Sequence, residues 1–344
     1  MSRPLGLVSL VLPVYDEEQV LPLLVARLDA LVMRLPAPAE VIFVNDGSHD
    51  RSSELLAEIS RSRPNFKVVE LSRNFGHQLA ITAGTDFAAG DVVVILDADL
   101  QDPPEMVLEM IREYQAGYDV VYAQRVTRHG ETLFKRASAA AFYWLMRSLV
   151  HRDLPAHTGD FRLMSRPVVQ ALRALREQHR FVRGMVTWIG FRQKAIAFER
   201  PARAAGETKY PLRKMLALAW WAISSFSGVP LRLALVAGAL MLLASMGYGV
   251  FAVYKAAVLG DTVPGWASLV CLQIGLSGFT LLVLGLVGDY VARIYEELKG
   301  RPLYIVRQLH NLPRQALAPE ATRALVCIEQ EADAPVVVPQ RRAG

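Results

Sequence analysis

The sequence predicts an α/β domain, with a mostly parallel sheet and helices on both faces, followed by a membrane-inserted C-terminal region. In the N-terminal part, short apolar runs alternate with segments whose apolar residues recur at helical spacing. Further along the chain, two long stretches contain no charged residue. Of the 344 residues, 52% are hydrophobic and 21% are charged, and the mean hydropathy is +0.24. That balance excludes a disordered or fibrous chain and is unusual for a wholly soluble enzyme.

Strands and helices are predicted to alternate along the N-terminal domain. Short apolar runs bounded by turn residues predict strands at residues 7–13, 41–44, 66–71, 91–96 and 119–123. Apolar residues at helical spacing predict helices at residues 18–35, 52–60 and 77–89. The first apolar run is short and ends at Pro13 and Asp16, which favours a buried strand over a signal peptide. Alternation of this kind predicts a mostly parallel sheet.

Two apolar stretches, residues 233–254 and 262–288, are each long enough to cross a bilayer core of about 30 Å as a helix. A buried helix of a soluble protein is disfavoured, because neither stretch has a polar face. A short connector predicts that they form a hairpin within residues 229–300. Basic residues flank the hairpin on both outer sides, at Lys209, Arg213, Lys214 and Arg232 and at Arg293, Lys299, Arg301 and Arg307. The positive-inside rule then predicts a multi-pass protein of the inner (plasma) membrane, with residues 1–205 and both termini in the cytoplasm.

The segments on either side of the hairpin are predicted to differ from it. Residues 206–228 combine basic residues with Trp220 and Trp221, which favours an amphipathic helix lying in the membrane interface. A core helix of the soluble domain is the alternative. Residues 301–344 are predicted to form a partly disordered cytoplasmic tail, because the sequence beyond Asn311 is rich in Ala, Pro and charged residues.

Charge and cysteine content exclude several classes of protein. The formal net charge is +5, and the basic residues are scattered. A nucleic-acid-binding protein would show a stronger and more clustered excess, so no nucleic-acid partner is expected. The two cysteines, Cys271 and Cys327, exclude a disulfide framework and a four-thiolate metal site.

Each predicted strand ends in a polar segment. The segments are residues 13–17, 45–48, 72–76 and 97–102. Since the carboxyl ends of parallel strands meet at one edge of a sheet, these segments predict a site for a ligand of nucleotide size. The G-x-G-x-x-G and G-x-x-x-x-G-K-[ST] motifs are missing, so a glycine cradle of the dinucleotide or P-loop type does not hold the phosphates.

Asp97 and Asp99 are candidate metal ligands at the end of the strand over residues 91–96. Side chains two residues apart can converge on one ion only where the strand bends out of its pleat. Carboxylate oxygens suit Mg²⁺ or Mn²⁺, either of which can bridge a diphosphate. Gln101 continues the alternation and could add a carbonyl oxygen. A solvated turn is the alternative for an isolated D-x-D.

Four motifs together resemble those of the family-2 glycosyltransferases: VLPVYDE at residues 11–17, NDGS at 45–48, RNFG at 73–76 and DADLQDPP at 97–104. The chain looks most like the polyprenyl-phosphate branch, which includes dolichol-phosphate mannose synthases and bactoprenol glucosyltransferases. RAAGETKY at residues 203–210 resembles the R-x-x-G-x-[ST]-K segment of that branch, and the terminal hairpin resembles its bactoprenol subgroup. The Q-x-x-R-W segment of processive polysaccharide synthases is missing, which disfavours a polymerase.

The resemblance implies an A-type glycosyltransferase fold and an inverting transfer of a hexose from a nucleotide sugar to polyprenyl (undecaprenyl) phosphate, and it favours UDP-glucose as donor. It implies metal ligands at Asp97, Asp99 and Gln101. It implies nucleotide-binding positions at Pro13, Tyr15, Glu17, Asp46 and Asp97. It also implies basic positions near the phosphates at Arg125, Arg136, Arg203 and Lys209. The bactoprenol subgroup further suggests a tetramer packed through the membrane hairpins.

Such a transfer requires positively charged side chains more than it requires a general base. A lipid phosphate is already ionised at neutral pH, since its second pKa is about 6 by analogy with other phosphoesters. Arg125, Arg136, Arg203 and Lys209 are the candidates for holding two anionic groups close together. Asp160 matches a family position beside the acceptor. With a phosphate acceptor it is expected to orient the sugar or an arginine, whereas a hydroxyl acceptor would require it as a base.

Two other functions stay open on the sequence. One is a membrane glycosyltransferase that acts on a hydroxyl of a glycan or lipid. The other is a non-catalytic membrane scaffold, which would not bind nucleotide. The intact acidic and basic residues at positions 97, 99, 203 and 209 disfavour the scaffold.

Overall fold

The computed structural model of the protein describes residues 3–125, 158–198, 229–258 and 265–312. In these ranges, eight strands form a single sheet in the order β7-β5-β6-β4-β1-β2-β3-β8. The strands are β1 Val8–Val14, β2 Ala39–Asn45, β3 Phe66–Leu71, β4 Val92–Ile95, β5 Val120–Arg125, β6 Thr158–Ser165, β7 Gln193–Phe198 and β8 Val306–His310.

The sheet is mixed, which corrects the expectation of a mostly parallel one. β1 to β4 are parallel, as predicted: Val11 pairs with Ile42 of β2 on one side and with Ile95 of β4 on the other. β6 then lies antiparallel between β4 and β5, and β8 lies antiparallel against β3. The strand order reverses at β1, because the chain continues to β2 on one side and β4 lies on the other. This switch point opens a crevice at the carboxyl ends of β1 and β4, where ligands bind in open α/β sheets.

Helices cover both faces of the sheet, as the sequence predicts. The described helices are α1 Leu21–Val32, α2 Ser52–Ser62, α3 His77–Phe87, α4 Val107–Gln115, α5 Arg166–Ala174, α6 Val182–Ile189, α7 Val229–Val258 and α8 Trp266–Leu298. Successive residues of a strand point to opposite faces, so Leu10 and Leu12 of β1 pack with α1, α2 and α4, while Val11 packs with α3, α5 and α6. The domain therefore has two cores, one on each side of the sheet.

Helix α3 packs closely against the sheet, and a glycine permits the approach. A Cβ atom on Gly84 would lie 2.3 Å from Cγ1 of Val11 and 3.0 Å from Cγ2 of Val44. No real Cβ contact is that short, so the position accepts only a hydrogen. The close packing fixes the first residue of α3, His77, at the carboxyl edge of the sheet.

The two C-terminal helices carry many exposed apolar side chains. Leu235 of α7 and Leu282 of α8 are each 74% exposed. Among the described residues, Gly275–Leu298 is the one stretch whose length and hydropathy suffice to cross a membrane, and none of it is buried in the protein. The apolar part of α7, Leu233–Tyr248, is shorter. One candidate span is thus found, and the two-helix hairpin stays a prediction.

The segment after α8, at the start of the predicted tail, returns to the sheet. Leu303, Tyr304 and Val306 are buried, and β8 pairs with β3. The Tyr304 hydroxyl donates a hydrogen bond to Asp86 at the end of α3 (2.8 Å). Residues 303–310 therefore belong to the folded domain, because they supply an edge strand and core side chains that the composition of the tail does not reveal.

Candidate active site

A cavity of about 300 Å³ opens at the carboxyl ends of β1 to β4. Its walls come from all four polar segments that follow these strands. The lining residues include Pro13, Tyr15 and Glu17 after β1, Asp46 after β2, Asn74, Gly76 and His77 between β3 and α3, and Asp97 and Asp99 after β4. The structure thus brings together six of the residues that the sequence singles out.

The loops after β1 and β2 hold each other through backbone contacts. The backbone N–H of His49 donates to Oδ1 of Asp16 (2.7 Å), and the N–H of Asp16 donates to Oγ of Ser48 (3.1 Å). Asp16 has a φ of +54°, a left-handed conformation that is uncommon outside glycine and that Asp tolerates better than most residues. The sharp turn presents Tyr15, which is 41% exposed, at the mouth of the cavity. An exposed aromatic ring there can pack against a base or a ribose.

Asp46 fixes the third loop while it lines the cavity. Its two carboxylate oxygens accept hydrogen bonds from the backbone N–H groups of Phe75 (2.7 Å) and Gly76 (2.9 Å). Burial raises the pKa of Asp46, and these two hydrogen bonds oppose the rise. Gly47 has a φ of +68°, and a Cβ there would lie 2.5 Å from the carbonyl carbon of Arg73. The second and third loops are therefore locked together beneath the cavity.

The acidic loop after β4 has the bend that two converging carboxylates need. β4 ends at Ile95, and Leu100 has a φ of +58°, so the chain has left the pleated conformation. The backbone N–H of Gln101 donates to Oδ1 of Asp99 (3.1 Å), which steadies that carboxylate. As a result, both Asp97 and Asp99 face the same cavity.

This loop fits a hard divalent cation that also binds a substrate. Asp97 and Asp99 offer only oxygen atoms, as Mg²⁺ and Mn²⁺ prefer. Within the described ranges, no group of three or more His, Cys, Asp or Glu side chains forms a metal site. Two carboxylates completed by diphosphate oxygens match the usual way in which proteins bind Mg²⁺. Gln101 is 9% exposed and is not among the residues that line the cavity, so its side chain has no shown role there.

His77, at the start of α3, connects the acidic loop to Asp160. Its Nε2 lies 3.5 Å from Oδ1 of Asp97 and 3.3 Å from Oδ2 of Asp160. Burial alone would lower the pKa of His77, but Asp160 and Asp97 outweigh that effect and raise it. The signal in the sequence that points to His77 is its position directly after a strand-end segment.

Asp160, in β6, is a buried carboxylate surrounded by donors and cations. Oδ2 accepts a hydrogen bond from Nε2 of Gln78 (3.0 Å), and Oδ1 lies 3.0 Å from Nε of Arg183 and 3.9 Å from Nη2 of Arg162. Burial on its own would raise the pKa of Asp160, but Arg183, His77 and Arg162 hold it well below its ordinary range. A carboxylate stabilised in this way is a poor proton acceptor, so the geometry favours a positioning role.

The predicted basic residues are not placed by the structure. The backbone of Arg125 ends β5 and pairs with Phe198 of β7. Arg136, Arg203 and Lys209 lie outside the described residues, as do the predicted interfacial helix and residues 313–344. Arg183 and Gln78 are the polar residues near the site that sequence reasoning missed. Their contacts with Asp160 join parts of the chain that are far apart in sequence.

Comparison with known proteins finds related chains and solved structures. Residues 9–173 match the sequence model of the family described as "Glycosyl transferase family 2". A Bacillus subtilis protein named uncharacterized glycosyltransferase YkcC is 48% identical over 309 residues, covering 90% of this chain and 96% of its own. The SfII prophage-derived bactoprenol glucosyl transferase of Shigella flexneri is 36% identical over 304 residues, covering 88% of this chain and 98% of its own. Among solved structures, glucosyl-3-phosphoglycerate synthase from Mycobacterium tuberculosis aligns with a TM-score of 0.47 at 19% identity, over 64% of this chain and 78% of that one.

Proposed function

The chain belongs to glycosyl transferase family 2 and is a glycosyltransferase, and we propose that it transfers a hexose from a nucleotide sugar to polyprenyl phosphate at a membrane surface. The observation that carries the proposal is the position of Asp97 and Asp99, which face the same cavity as Tyr15, Glu17 and Asp46. Relatives named bactoprenol glucosyl transferase support a glucosyl donor and a bactoprenol-linked acceptor, for which we propose UDP-glucose and undecaprenyl phosphate. The sheet, with its switch point at β1, is then the core of an A-type glycosyltransferase fold.

The donor would bind with its nucleoside between the loops after β1 and β2. Tyr15 packs against the base or ribose, and Glu17 and Asp46 accept hydrogen bonds from their polar edges. Asp97 and Asp99 would hold a divalent ion at the diphosphate end of the donor. When bound, Mg²⁺ or Mn²⁺ supplies positive charge that stabilises the diphosphate as it leaves the sugar. Backbone contacts between the loops keep these side chains in place before the donor arrives, which reduces the entropy cost of binding.

The acceptor phosphate attacks the anomeric carbon on the face opposite the diphosphate, so the transfer inverts the configuration. An ionised phosphate needs no general base. This fits Asp160, whose charge is stabilised by its neighbours and which is therefore poorly suited to take a proton. Arg125, Arg136, Arg203 and Lys209 would provide positive charge for the two phosphate groups, in keeping with the bidentate match between guanidinium and phosphate.

We place this reaction at the cytoplasmic face of the plasma membrane. α7 and α8 would form the transmembrane hairpin, with both termini in the cytoplasm and residues 206–228 in the interface. The exposed apolar surface of both helices and the basic residues at the outer ends of the hairpin support this topology. Anchoring keeps the cavity close to a substrate confined to two dimensions, which raises the effective concentration of that substrate. Assembly as a tetramer through the hairpins is part of the proposal.

The proposal is tested with the full-length protein in detergent, supplied with Mn²⁺ or Mg²⁺, labelled UDP-glucose and undecaprenyl phosphate. We expect label in a lipid fraction that mild acid releases, since a glycosyl phosphodiester is acid-labile. Removing the divalent ion with EDTA should abolish the signal, and adding the ion back should restore it. A lipid product that resists mild acid would instead support a hydroxyl acceptor.

A separate variant tests the assignment of Asp97 and Asp99 as metal ligands. Asp99→Ala should lower transfer by about 100-fold or more, because the leaving diphosphate loses its counter-charge. Glu109→Ala, which removes an exposed carboxylate on α4, is the matched control and should stay within about twofold of the unmodified protein. Equal thermal unfolding of the two variants would show that the loss is not caused by misfolding. Full activity of Asp99→Ala would contradict the assignment.

A further inference from the structure

Arg183 is linked to the cavity through His77 and Asp160, although it does not line the cavity and does not belong to the loops that follow the strands. It is the second residue of α6, and α6 is attached to α3 at its first residue. The backbone N–H of Val182 donates a hydrogen bond to Oε1 of Gln78 (2.9 Å), next to His77 at the cavity wall. Three contacts of 3.5 Å or less therefore connect the acidic loop to Arg183, through His77 and Asp160.

The guanidinium of Arg183 is held in place and yet remains accessible. Nε lies 3.0 Å from Oδ1 of Asp160, and Nη1 donates a hydrogen bond to the carbonyl oxygen of Thr158 (2.8 Å). Among the residues that the structure describes, none accepts a hydrogen bond from Nη2. The side chain is 32% exposed, whereas that of Arg162, on the other side of Asp160, is 5% exposed. Arg162 is therefore a buried structural arginine, and Arg183 offers donors to a ligand.

The charges in this cluster do not balance. Arg162 and Arg183 both lie within 4 Å of the single carboxylate of Asp160, so these three side chains carry one uncompensated positive charge. Asp97 does not offset this excess if its charge is balanced by the proposed divalent ion. A partly exposed guanidinium whose charge is not compensated is suited to an anion, and its planar fork matches phosphate oxygens.

We propose that Arg183 binds the acceptor phosphate, and that Asp160 positions its guanidinium for this contact. This inference rests on the proposed function, because a polyprenyl phosphate supplies the second anion of the reaction. The diphosphate of the donor is assigned to the Asp97 and Asp99 side of the cavity. The acceptor phosphate then lies on the Asp160 side, and Arg183 contacts two of its oxygens.

Steady-state kinetics of the full-length protein test the proposal, with UDP-glucose and undecaprenyl phosphate as substrates. Arg183→Gln should raise the KM for undecaprenyl phosphate about 10- to 100-fold, as expected for the loss of a charged hydrogen-bonding pair. The KM for UDP-glucose should change less than about threefold. Arg183→Lys should recover part of the acceptor affinity, because it keeps the charge but loses the fork. Arg112→Gln, an exposed arginine on α4, is the matched control and should behave like the unmodified protein. An unchanged KM for the acceptor, or an equal rise in both KM values, would overturn the proposal.

A binding measurement separates this inference from the proposed function. Farnesyl phosphate should raise the thermal unfolding temperature of the unmodified protein and of Arg112→Gln, but much less that of Arg183→Gln. Farnesol should have no effect, and inorganic phosphate should show whether the phosphate alone is enough. If no nucleotide sugar gives a lipid product, the proposed reaction fails, while binding of farnesyl phosphate that depends on Arg183 still supports the inference. If farnesyl phosphate stabilises the unmodified protein and Arg183→Gln equally, or neither of them, the inference is wrong.

Discussion

At the scale of single residues, Asp160 is central to the charges near the site. Its carboxylate is 5% exposed and lies against Arg183, His77 and the buried Arg162. Burial of such a group is costly unless its charge is paired. The neighbouring cations therefore depend on Asp160 as much as Asp160 depends on them.

Asp160→Asn should destabilise the protein by about 3–5 kcal/mol at neutral pH, because it leaves the buried Arg162 without a counter-charge. The pH dependence follows from the lowered pKa of Asp160. A carboxyl group whose pKa is lower in the folded state contributes stability above its unfolded pKa of about 3.9 and loses it as the pH falls. The unmodified protein should therefore lose stability below about pH 5, and Asp160→Asn should lose less over the same range. Thermal unfolding in detergent between pH 3 and pH 7 measures this, and parallel curves for the two proteins would contradict it.

Whether a site residue was predictable from the sequence depends on how far along the chain its contact partners lie. Asp97, Asp99, Tyr15 and Asp46 were predictable because each follows a strand in the sequence. Arg183 was not predictable, since its contact with Asp160 requires β6 to pair with β4 and α6 to pack beside α3. No local pattern encodes either contact.

The strands were likewise predictable where their local sequence pattern is strong. Parallel strands β1 to β4 have strong apolar runs, and the predicted ranges agree with the structure within a few residues. β6, β7 and β8 were missed for a physical reason. β6 has only three apolar side chains and carries Asp160 and Arg162 among them, and β7 and β8 have mostly partly exposed residues, as is usual for edge strands. Because β6 lies antiparallel between β4 and β5, the sheet is mixed and not mostly parallel as predicted.

The fit between α3 and the sheet gives a prediction for an element. Gly84→Ala should cost about 1–3 kcal/mol, because its Cβ would overlap Cγ1 of Val11. Val11→Ala, which removes that methyl group, should reduce the cost of Gly84→Ala in the double variant. A double-mutant cycle of unfolding free energies measures the coupling between the two positions. Additive effects would show that α3 moves away from the sheet without strain.

At the scale of the whole molecule, the C-terminal return to the sheet joins distant parts of the chain. Tyr304 donates to Asp86, and Asp86 is also paired with Arg176 (2.7 Å). Gln178 donates from its backbone N–H to Glu297 near the end of α8 (2.7 Å) and from its side chain to the carbonyl oxygen of Arg301 (2.7 Å). The end of α8 is thus fastened to the loop between α5 and α6, close to the proposed acceptor side of the cavity.

Ending the chain after Gly300 should destabilise the domain relative to a chain that ends after Leu312. The shorter chain lacks Leu303, Tyr304 and Val306, and each buried apolar side chain contributes about 1.5–3 kcal/mol. It also leaves β3 with an open edge. Hydrogen exchange of the β3 amides should be faster in the shorter chain than in the longer one. Equal protection would show that β8 adds little to the sheet.

The position of β8 also bears on which phosphates can be reached. α8 is separated from β8 only by residues 299–305, and its last turns are bound to Gln178 and His179. With α8 in a bilayer, so short a link sets the height of the cavity above the lipid. A lipid phosphate at the depth of the headgroups would then lie within reach of the cavity. A phosphate dissolved in water would not be brought closer to the cavity by this link. Substrate choice would therefore depend on depth as well as on chemical recognition.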